Sequence, residues 1–504
     1  MQLTLAEIAP IIGTAAPATP ERSVAGYSID SRTVRPAELF FAVRGQRLDG
    51  HDYVLAAIEA GAAAAVVAAS RKAEFAAALQ SKLLGVPDPL AALQALAAAV
   101  RRRWGGPVVA VTGSAGKTTT KQMIAALLGS KFRVFENQGN LNNQFGLPLS
   151  LLQLGPETEI GVFELGMSGP GEIRLLAELA RPDVGVVTNV SAAHLEFFPS
   201  VEAIARAKQE LIESLGAEDW AVLNADDRRV AGFALHCRGH VLFYGFAASA
   251  DIRAGELKTH PGGGFSFRLP PPMQRGIRAG AAWKGARAAE RPAEKPSLVR
   301  FHLPLLGRHN VSNLLGALGV AYLFGIRPPE LAGAVANLRP ALQRGEMLRL
   351  AAGAVVVNDC YNSNPEALEA MLRAVAELPA RRRFAVLGGM MELGPLSEEL
   401  HVRCGRRVAE LQFTGLVTVG EAARGLATGA RQGGLPDAAV AECATPAEAG
   451  ERLRGWLQEG DVVLLKGSRA VRLETIWEHL GPVGPPCARA AVSPRGASSD
   501  EGKA

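Results

Sequence analysis

Along most of the chain, short uninterrupted apolar runs alternate with longer stretches in which apolar residues recur at helical spacing. Residues 108–111, 160–163, 184–188 and 221–223 are each short and apolar, as strands buried on both faces of a parallel sheet are. They predict a doubly wound α/β unit. The alternation restarts after about Arg339 with residues 355–357, 384–387, 416–419 and 462–465, enough for another parallel sheet with helices on both faces. Ahead of both, residues 1–103 mix short strands, such as 38–43, with Ala-rich helical stretches. Arg101, Arg102 and Arg103 precede Trp-Gly-Gly-Pro at 104–107, a charge run followed by helix-ending residues, and mark a boundary. The pattern predicts three α/β domains: 1–104, 105–338 and 339–480.

Two segments fit none of this. Residues 255–295 contain Pro-Gly-Gly-Gly at 261–264, three prolines at 270–272 and a run of Ala, Arg and Gly, and residues 481–504 are rich in Pro, Gly and Ser. These compositions predict a mobile insertion and a disordered tail. A length of 504 residues, 48% hydrophobic and 20% charged, is ordinary for a soluble protein and too long for one core. The start lacks a basic segment followed by an apolar one, and no stretch of about 18 apolar residues appears. The expectation is a cytoplasmic chain without a membrane span. Five scattered cysteines suit free thiols in a reducing compartment. The net charge of +5 is partly local to the basic stretch between Arg253 and Arg300, which gives little reason to expect a nucleic-acid partner.

The strongest local signal is Thr112-Gly113-Ser114-Ala115-Gly116-Lys117-Thr118-Thr119, directly after the predicted strand 108–111 and opening a helix. Small residues let successive backbone N–H groups face phosphate oxygens, and the helix N-terminus adds positive potential. Lys117 can reach the terminal phosphates of a nucleotide, and Thr118 offers a hydroxyl to magnesium. The general phosphate-loop spacing would need a glycine at Val111, so this is a shorter form. Polar residues at the ends of later strands gather at the same sheet edge. Glu164 ends one strand, Thr188 and Asn189 end another, and His194 follows on a loop. Oxygen donors such as Glu164 and Thr118 suit magnesium, whereas His194 is a less usual partner and alone reads as a loop histidine. Lys208 lies in a charged helical stretch, 202–215, where spacing by itself favours a solvated face. The amide-rich run Gly139-Asn140-Leu141-Asn142-Asn143-Gln144 can hold a polar ligand or brace turns.

In this order the motifs resemble the Mur ligases, ATP-dependent amide-forming enzymes that share T-G-x-x-G-K-T-T, a later Glu, an Asn with a nearby His, and A-K-x-E. The likeness continues through Gly307-Arg308-His309-Asn310, Asn358-Asp359-Cys360-Tyr361-Asn362-Ser363-Asn364-Pro365, Met391-Glu392-Leu393-Gly394 and Lys466-Gly467-Ser468-Arg469, over about residues 25–475. The segments Ser31-Arg32-Thr33-Val34, residues 40–45 (Phe-Phe-Ala-Val-Arg-Gly) and Asp49-Gly50-His51-Asp52, with Y-N-x-N-P and M-x-E-L-G, are similar to the branch that adds D-alanyl-D-alanine to UDP-N-acetylmuramoyl-tripeptide. The resemblance implies an N-terminal UDP-substrate domain, a central P-loop ATPase domain and a C-terminal Rossmann-like domain in a monomeric cytoplasmic enzyme.

It also implies ATP and Mg2+ as cofactors and an acyl-phosphate route. Lys117, Lys208 and His194 would serve catalysis, and Thr118, Glu164, His194 and a carbamylated Lys208 would surround the metal. Residues Gly113, Ser114, Ala115, Gly116, Lys117, Thr118 and Thr119, with Asn310, Arg344 and Asp359, would hold ATP. Ser31, Arg32, Gly45, Asn142 and Asn143 would meet the UDP substrate. Asn362, Asn364, Lys466, Gly467 and Ser468 would meet the dipeptide. Where the family usually reads G-D-M-x-E-L-G, this chain has Gly389 in place of the Asp. Another Mur-type ligase and a folylpolyglutamate synthase share parts of the pattern. A nucleotide-switch protein would leave Glu164, His194 and Lys208 without a role.

Overall fold

The computed structural model describes residues 2–15, 19–45, 47–193, 195–270 and 298–480. Near the N-terminus, Gly26–Ser28, Glu38–Phe41, Ala64–Ala68 and Leu83–Val86 form a parallel four-stranded sheet. The helix Pro89–Trp104 follows, started by Asp88, whose carboxylate accepts from Leu90 N, and stopped by Gly105 in the left-handed conformation at φ 70°. Its apolar face, including Leu93, Leu96 and Val100, is buried in one core with Leu39 and Phe41 before it and Leu147, Leu151 and Leu176 after it. Gly105 therefore turns the chain without interrupting the packing. Arg101, the first of the arginine run, is buried and donates to the carbonyls of Ala180 (2.6 Å) and Arg181 (2.9 Å), tying that helix to its neighbour.

A seven-stranded parallel sheet comes next, in the order Ile252–Arg253, His240–Gly245, Trp220–Asn224, Val184–Val187, Val108–Thr112, Ile160–Glu164, Val134–Glu136. Lys117–Leu128 and Arg308–Leu323 contribute to the core on one face, and Pro89–Trp104, Glu172–Ala180 and Val201–Glu213 to that on the other. Val108–Thr112 lies between Val184–Val187 and Ile160–Glu164, so the loops leaving it and its neighbour diverge and open a crevice at the carboxyl ends of the strands.

The expectation of a mobile insertion over 255–295 is corrected in its first part. Gly255–Thr259 and Phe265–Leu269 are strands of an antiparallel sheet completed by Val299–Leu303. The reason is a period-two alternation inside the Gly- and Pro-rich composition: Phe265, Phe267 and Leu269 are buried while Ser266 and Arg268 are more exposed. Phe267 stacks on Phe301 across the pair, with centroids 5.6 Å apart. Residues 271–297 and the tail 481–504 lie outside the described residues.

The C-terminal sheet runs Glu346–Arg349, Val355–Asn358, Val462–Lys466, Arg383–Gly388, Gly415–Val419, Val440–Cys443; only the first pairing is antiparallel. Its carboxyl edge faces the crevice of the seven-stranded sheet, and the two meet around a cleft of about 410 Å³. Among the described residues no helix is long and apolar enough to cross a membrane.

Candidate functional site

The phosphate loop is held open by two glycines. Gly113 and Gly116 have φ 149° and 80°, and a Cβ on Gly113 would come within 1.8 Å of Thr188 Oγ1. Thr188 and Asn189, at the end of the neighbouring strand, fix the loop's shape. Thr188 Oγ1 donates to Ala115 O (2.6 Å), Asn189 Oδ1 accepts from Ala115 N (2.9 Å), and Asn189 O accepts from Ser114 N (2.9 Å). Lys117 opens the helix and folds back so that Nζ donates to Gly113 O at 2.9 Å. Burial holds its ammonium below the ordinary lysine value; the Glu164 carboxylate opposes this and Arg344 adds to it.

Glu164 is buried at the end of its strand with both oxygens engaged. Oε2 accepts from Thr118 Oγ1 at 2.7 Å and Oε1 from Asn142 Nδ2 at 2.8 Å. Thr118 and Glu164 thus present hard oxygen donors side by side beside the phosphate loop, a donor set that fits magnesium completed by phosphate oxygens and water. Asn137 sets the height of Glu164: its Oδ1 accepts from Glu164 N (2.9 Å), and its Nδ2 donates to Glu164 O (3.3 Å) and Leu141 O (2.8 Å). Buried Lys121 donates in turn to Asn137 O.

Lys208 does not lie on a solvated face. It is 1% exposed, on the inner side of the helix Val201–Glu213, and makes no hydrogen bond or ion pair among the described residues. Burial, with Lys117 nearby, drives its amine well below the ordinary lysine value. Two residues on, Glu210 accepts from Gly171 N (2.9 Å) and Arg174 N (3.0 Å), anchoring the helix to the next turn. His194 lies outside the described residues.

The cleft brings together Ser114, Ala115, Gly116, Lys117, Thr118, Thr119 and Glu164 with Asn310, Arg344, Asp359, Asn362, Asn364 and Lys466. Arg344 crosses from the C-terminal side, with Nη2 at 3.5 Å from Thr118 Oγ1. Asn310 Nδ2 donates to Leu306 O (2.8 Å), which leaves its Oδ1 bonded to Asn313 Nδ2 (3.2 Å). Lys466 Nζ forms a buried ion pair with Asp359 Oδ2 at 2.5 Å and donates to Asn362 O at 3.0 Å. One contact therefore joins a residue expected at ATP to one expected at the dipeptide. Asn364 caps the helix Pro365–Ala376 by accepting from Ala367 N (2.9 Å).

Other expected residues stand elsewhere. Ser31, Arg32 and Gly45 belong to the N-terminal sheet domain and do not line this cleft. Arg32 is exposed and paired with Asp30 at 2.6 Å, and Gly45 N donates to Leu48 O at 2.8 Å. Asn143 caps the start of the helix Gly146–Leu151, accepting from Phe145 N (3.2 Å) and Gly146 N (3.0 Å). Gly467 and Ser468 sit under the turn at 389–391: a Cβ on Gly467 would meet Leu473 Cδ1 at 2.8 Å, and Ser468 Oγ accepts from Met391 N at 3.0 Å. At Gly389 a Cβ would stand 2.6 Å from that of Ala422, so the usual aspartate has no room here. Asn137, Lys121, Asn313 and Asp227 were not singled out from the sequence. Asp227, which lines the cleft and accepts from Val190 N at 2.7 Å, had one signal: a polar Asn-Ala-Asp-Asp run directly after a buried strand.

Comparison with known proteins agrees with this geometry. Residues 23–101 match the Mur ligase family, catalytic domain; 111–321 the Mur ligase middle domain; and 343–469 the Mur ligase, glutamate ligase domain. A curated protein of Bacillus subtilis (strain 168), UDP-N-acetylmuramoyl-tripeptide--D-alanyl-D-alanine ligase, is 34% identical over 457 residues, covering 90% of this chain and 93% of its own. The crystal structure of MurF from Acinetobacter baumannii superposes with a TM-score of 0.82 at 26% identity, covering 95% and 99% of the two chains. MurF ligase from Thermotoga maritima in complex with ADP does so with a TM-score of 0.75 at 29% identity, covering 90% and 96%. With three matched domains in order, a relative 34% identical along nine-tenths of its length and a phosphate loop facing a second α/β domain, the chain belongs to the Mur ligase family.

Proposed function

We propose that the chain is the ATP-dependent ligase that joins D-alanyl-D-alanine to UDP-N-acetylmuramoyl-tripeptide, giving the pentapeptide precursor of the bacterial cell wall, ADP and phosphate. The observation that carries the reading is the meeting of Lys117, Thr118 and Glu164 with Arg344 and the Asp359–Lys466 pair around one cleft between two α/β domains. A carboxylate is a poor acyl donor. An oxygen of the tripeptide carboxylate therefore attacks the γ-phosphorus of ATP, ADP leaves, and an acyl phosphate forms. The dipeptide amine then adds to the acyl carbon, and the tetrahedral adduct expels phosphate and loses a proton.

Both steps depend on positioning and on neutralising charge. The backbone N–H groups of the loop and Lys117 hold the terminal phosphates, and Arg344 supplies a second cation from the opposite wall. Thr118 and Glu164 would hold Mg2+, which when bound offsets phosphate charge. Lys208 suits carbamylation: its depressed basicity leaves an amine free to take up CO2, and the resulting anion would attract the nearby Lys117 ammonium. Ser31, Arg32 and Gly45 would meet the UDP group, and Asn362 and Asn364 the dipeptide. The enzyme acts as a cytoplasmic monomer. The test is phosphate release with ATP, magnesium, UDP-muramoyl tripeptide and D-alanyl-D-alanine, omitting each in turn, with the product identified by mass. Release that needs both acceptors, with a product carrying two added alanines, is expected. Turnover with a different amino acid, or none despite bound ATP, overturns the assignment.

A further inference from the structure

The antiparallel register of Glu346–Arg349 against Val355–Asn358 pairs Glu346 with Asn358. It therefore sets the residues just before the first strand beside those just after the second. Gln343, with φ 58°, marks this crossing. Its N donates to Glu346 Oε2 (2.7 Å), its carbonyl accepts from Tyr361 N (3.3 Å), and its Oε1 accepts from Arg469 Nη1 (3.0 Å). The result is one aromatic ring shared by two guanidinium groups: Arg344 Cζ lies 4.2 Å from the Tyr361 centroid and Arg469 Cζ 5.7 Å.

The two arginines look into different spaces. Arg344 lines the phosphate cleft. Tyr361 and Arg469 line a second cleft of about 740 Å³, walled by Gly139, Asn140 and Phe197 on one side and Met391 and Glu392 on the other. Asn362 belongs to both. Two cations this close repel one another, whereas the face of an aromatic ring attracts both; Arg469 is also held by Gln343 Oε1 and, at 3.8 Å, by Glu474 Oε1.

We infer that Tyr361 is a positioning residue that holds Arg344 toward the terminal phosphates of ATP and Arg469 toward the second cleft, where it would meet the carboxylate of the incoming dipeptide. The dipeptide half rests on the function proposed above; the nucleotide half does not. The Tyr361 hydroxyl makes no hydrogen bond among the described residues, so Tyr361→Phe keeps the ring face and Tyr361→Leu removes it.

The experiment measures binding of a non-hydrolysable ATP analogue by calorimetry, and KM for each substrate, in the full-length enzyme. Tyr361→Phe stays close to wild type, while Tyr361→Leu weakens analogue binding and raises the dipeptide KM by about two- to fivefold each, the range of a solvent-exposed cation–π contact. The KM for the UDP substrate does not move. Arg344→Ala/Tyr361→Leu binds the analogue no more weakly than Arg344→Ala alone, and Arg469→Ala/Tyr361→Leu shows the same non-additivity in dipeptide KM. Additive losses, a Phe variant as impaired as the Leu variant, or unchanged binding in Tyr361→Leu would overturn the inference. An expected analogue result in an enzyme that never uses the dipeptide upholds the Arg344 assignment and defeats the ligase reading instead.

Discussion

Lys208 and Lys117 set two amines against each other in a buried region where, among the described residues, Lys208 has no acidic partner, and the combination favours the neutral form of the Lys208 amine. A neutral amine reacts with CO2 and an ammonium does not, so the same burial that is unfavourable to lysine prepares it for carbamylation. Lys208→Ala is expected to lose about 100-fold or more in kcat, as loss of a group that supports a metal site does. Lys208→Arg should lose as much, because a guanidinium stays charged. The wild type alone should slow in CO2-stripped buffer and recover with bicarbonate; full activity of Lys208→Ala would sink the idea. His309 gives a second prediction. Burial lowers its pKa from 6.5 to about 4, with the Asp359 charge opposing and Lys466 reinforcing. In the window between those values the unfolded chain binds the proton and the folded chain does not, so His309 lowers stability as pH falls from 6.5 toward 4, by at most about 3 kcal/mol. Urea titrations of wild type and His309→Gln should diverge across that window, and parallel curves would remove the claim. At this scale the sequence spoke unevenly. The loop from Gly113 to Thr119 was legible because glycine, lysine and threonine must occur in that order to cradle phosphate. Lys208 read as solvated because helical spacing does not say which face is buried. Asn142 and Asn143 look equivalent in the sequence, yet one holds the Glu164 carboxylate and the other caps a helix, a division that only the packed loop decides.

At the scale of elements, the central strands were legible because each is a short apolar run bounded by turns: the four runs read for each large sheet all lie on strands, whereas 134–136, 252–253, 346–349 and 440–443, at the sheet edges, and 240–245, next to one, were not singled out. The antiparallel sheet of 255–303 was not, since glycine and proline dominate its composition while its signal, Phe265-Ser266-Phe267-Arg268-Leu269, is only five residues long. Its register makes a prediction about the segment between. Leu269 pairs with Val299, so the two strands already end opposite each other, as a hairpin requires. Replacing residues 271–297 by a two-residue Asn-Gly turn should leave the pairing, the melting temperature and turnover unchanged. Phe267→Ala should cost about 3–5 kcal/mol, because Phe267 is buried against Phe301 in a core whose sheet packs against the helix Pro328–Ala336. A shortened protein that melts much earlier, or a Phe267→Ala variant as stable as wild type, would show that the sheet is not held by its apolar face.

Among the described residues, the central and C-terminal units meet through direct polar bonds that include three across the cleft and its rim. Ala192 N donates to Glu366 Oε1 at 3.4 Å, Glu196 N to Glu392 O at 3.1 Å, and Arg344 reaches Thr118 at 3.5 Å. Two of the three are long, and Arg344 and Glu366 line the cleft where phosphates and sugar would lie. A ligand there touches both walls and adds charge-assisted bonds across the cleft, so its binding energy favours arrangements in which the two walls are close together. A non-hydrolysable ATP analogue with magnesium should therefore compact the protein in small-angle scattering. At about 100 times its Kd it should add about 2.7 kcal/mol to stability. ADP, with one phosphate fewer to meet Arg344, should compact it less. Arg344→Ala should still bind the analogue through the phosphate loop, yet the scattering curve should stay close to that of the free enzyme, because the contact from the far wall is gone. If analogue-bound Arg344→Ala compacts as fully as wild type, closure is driven from elsewhere along the seam, and the Glu196–Glu392 contact becomes the place to look.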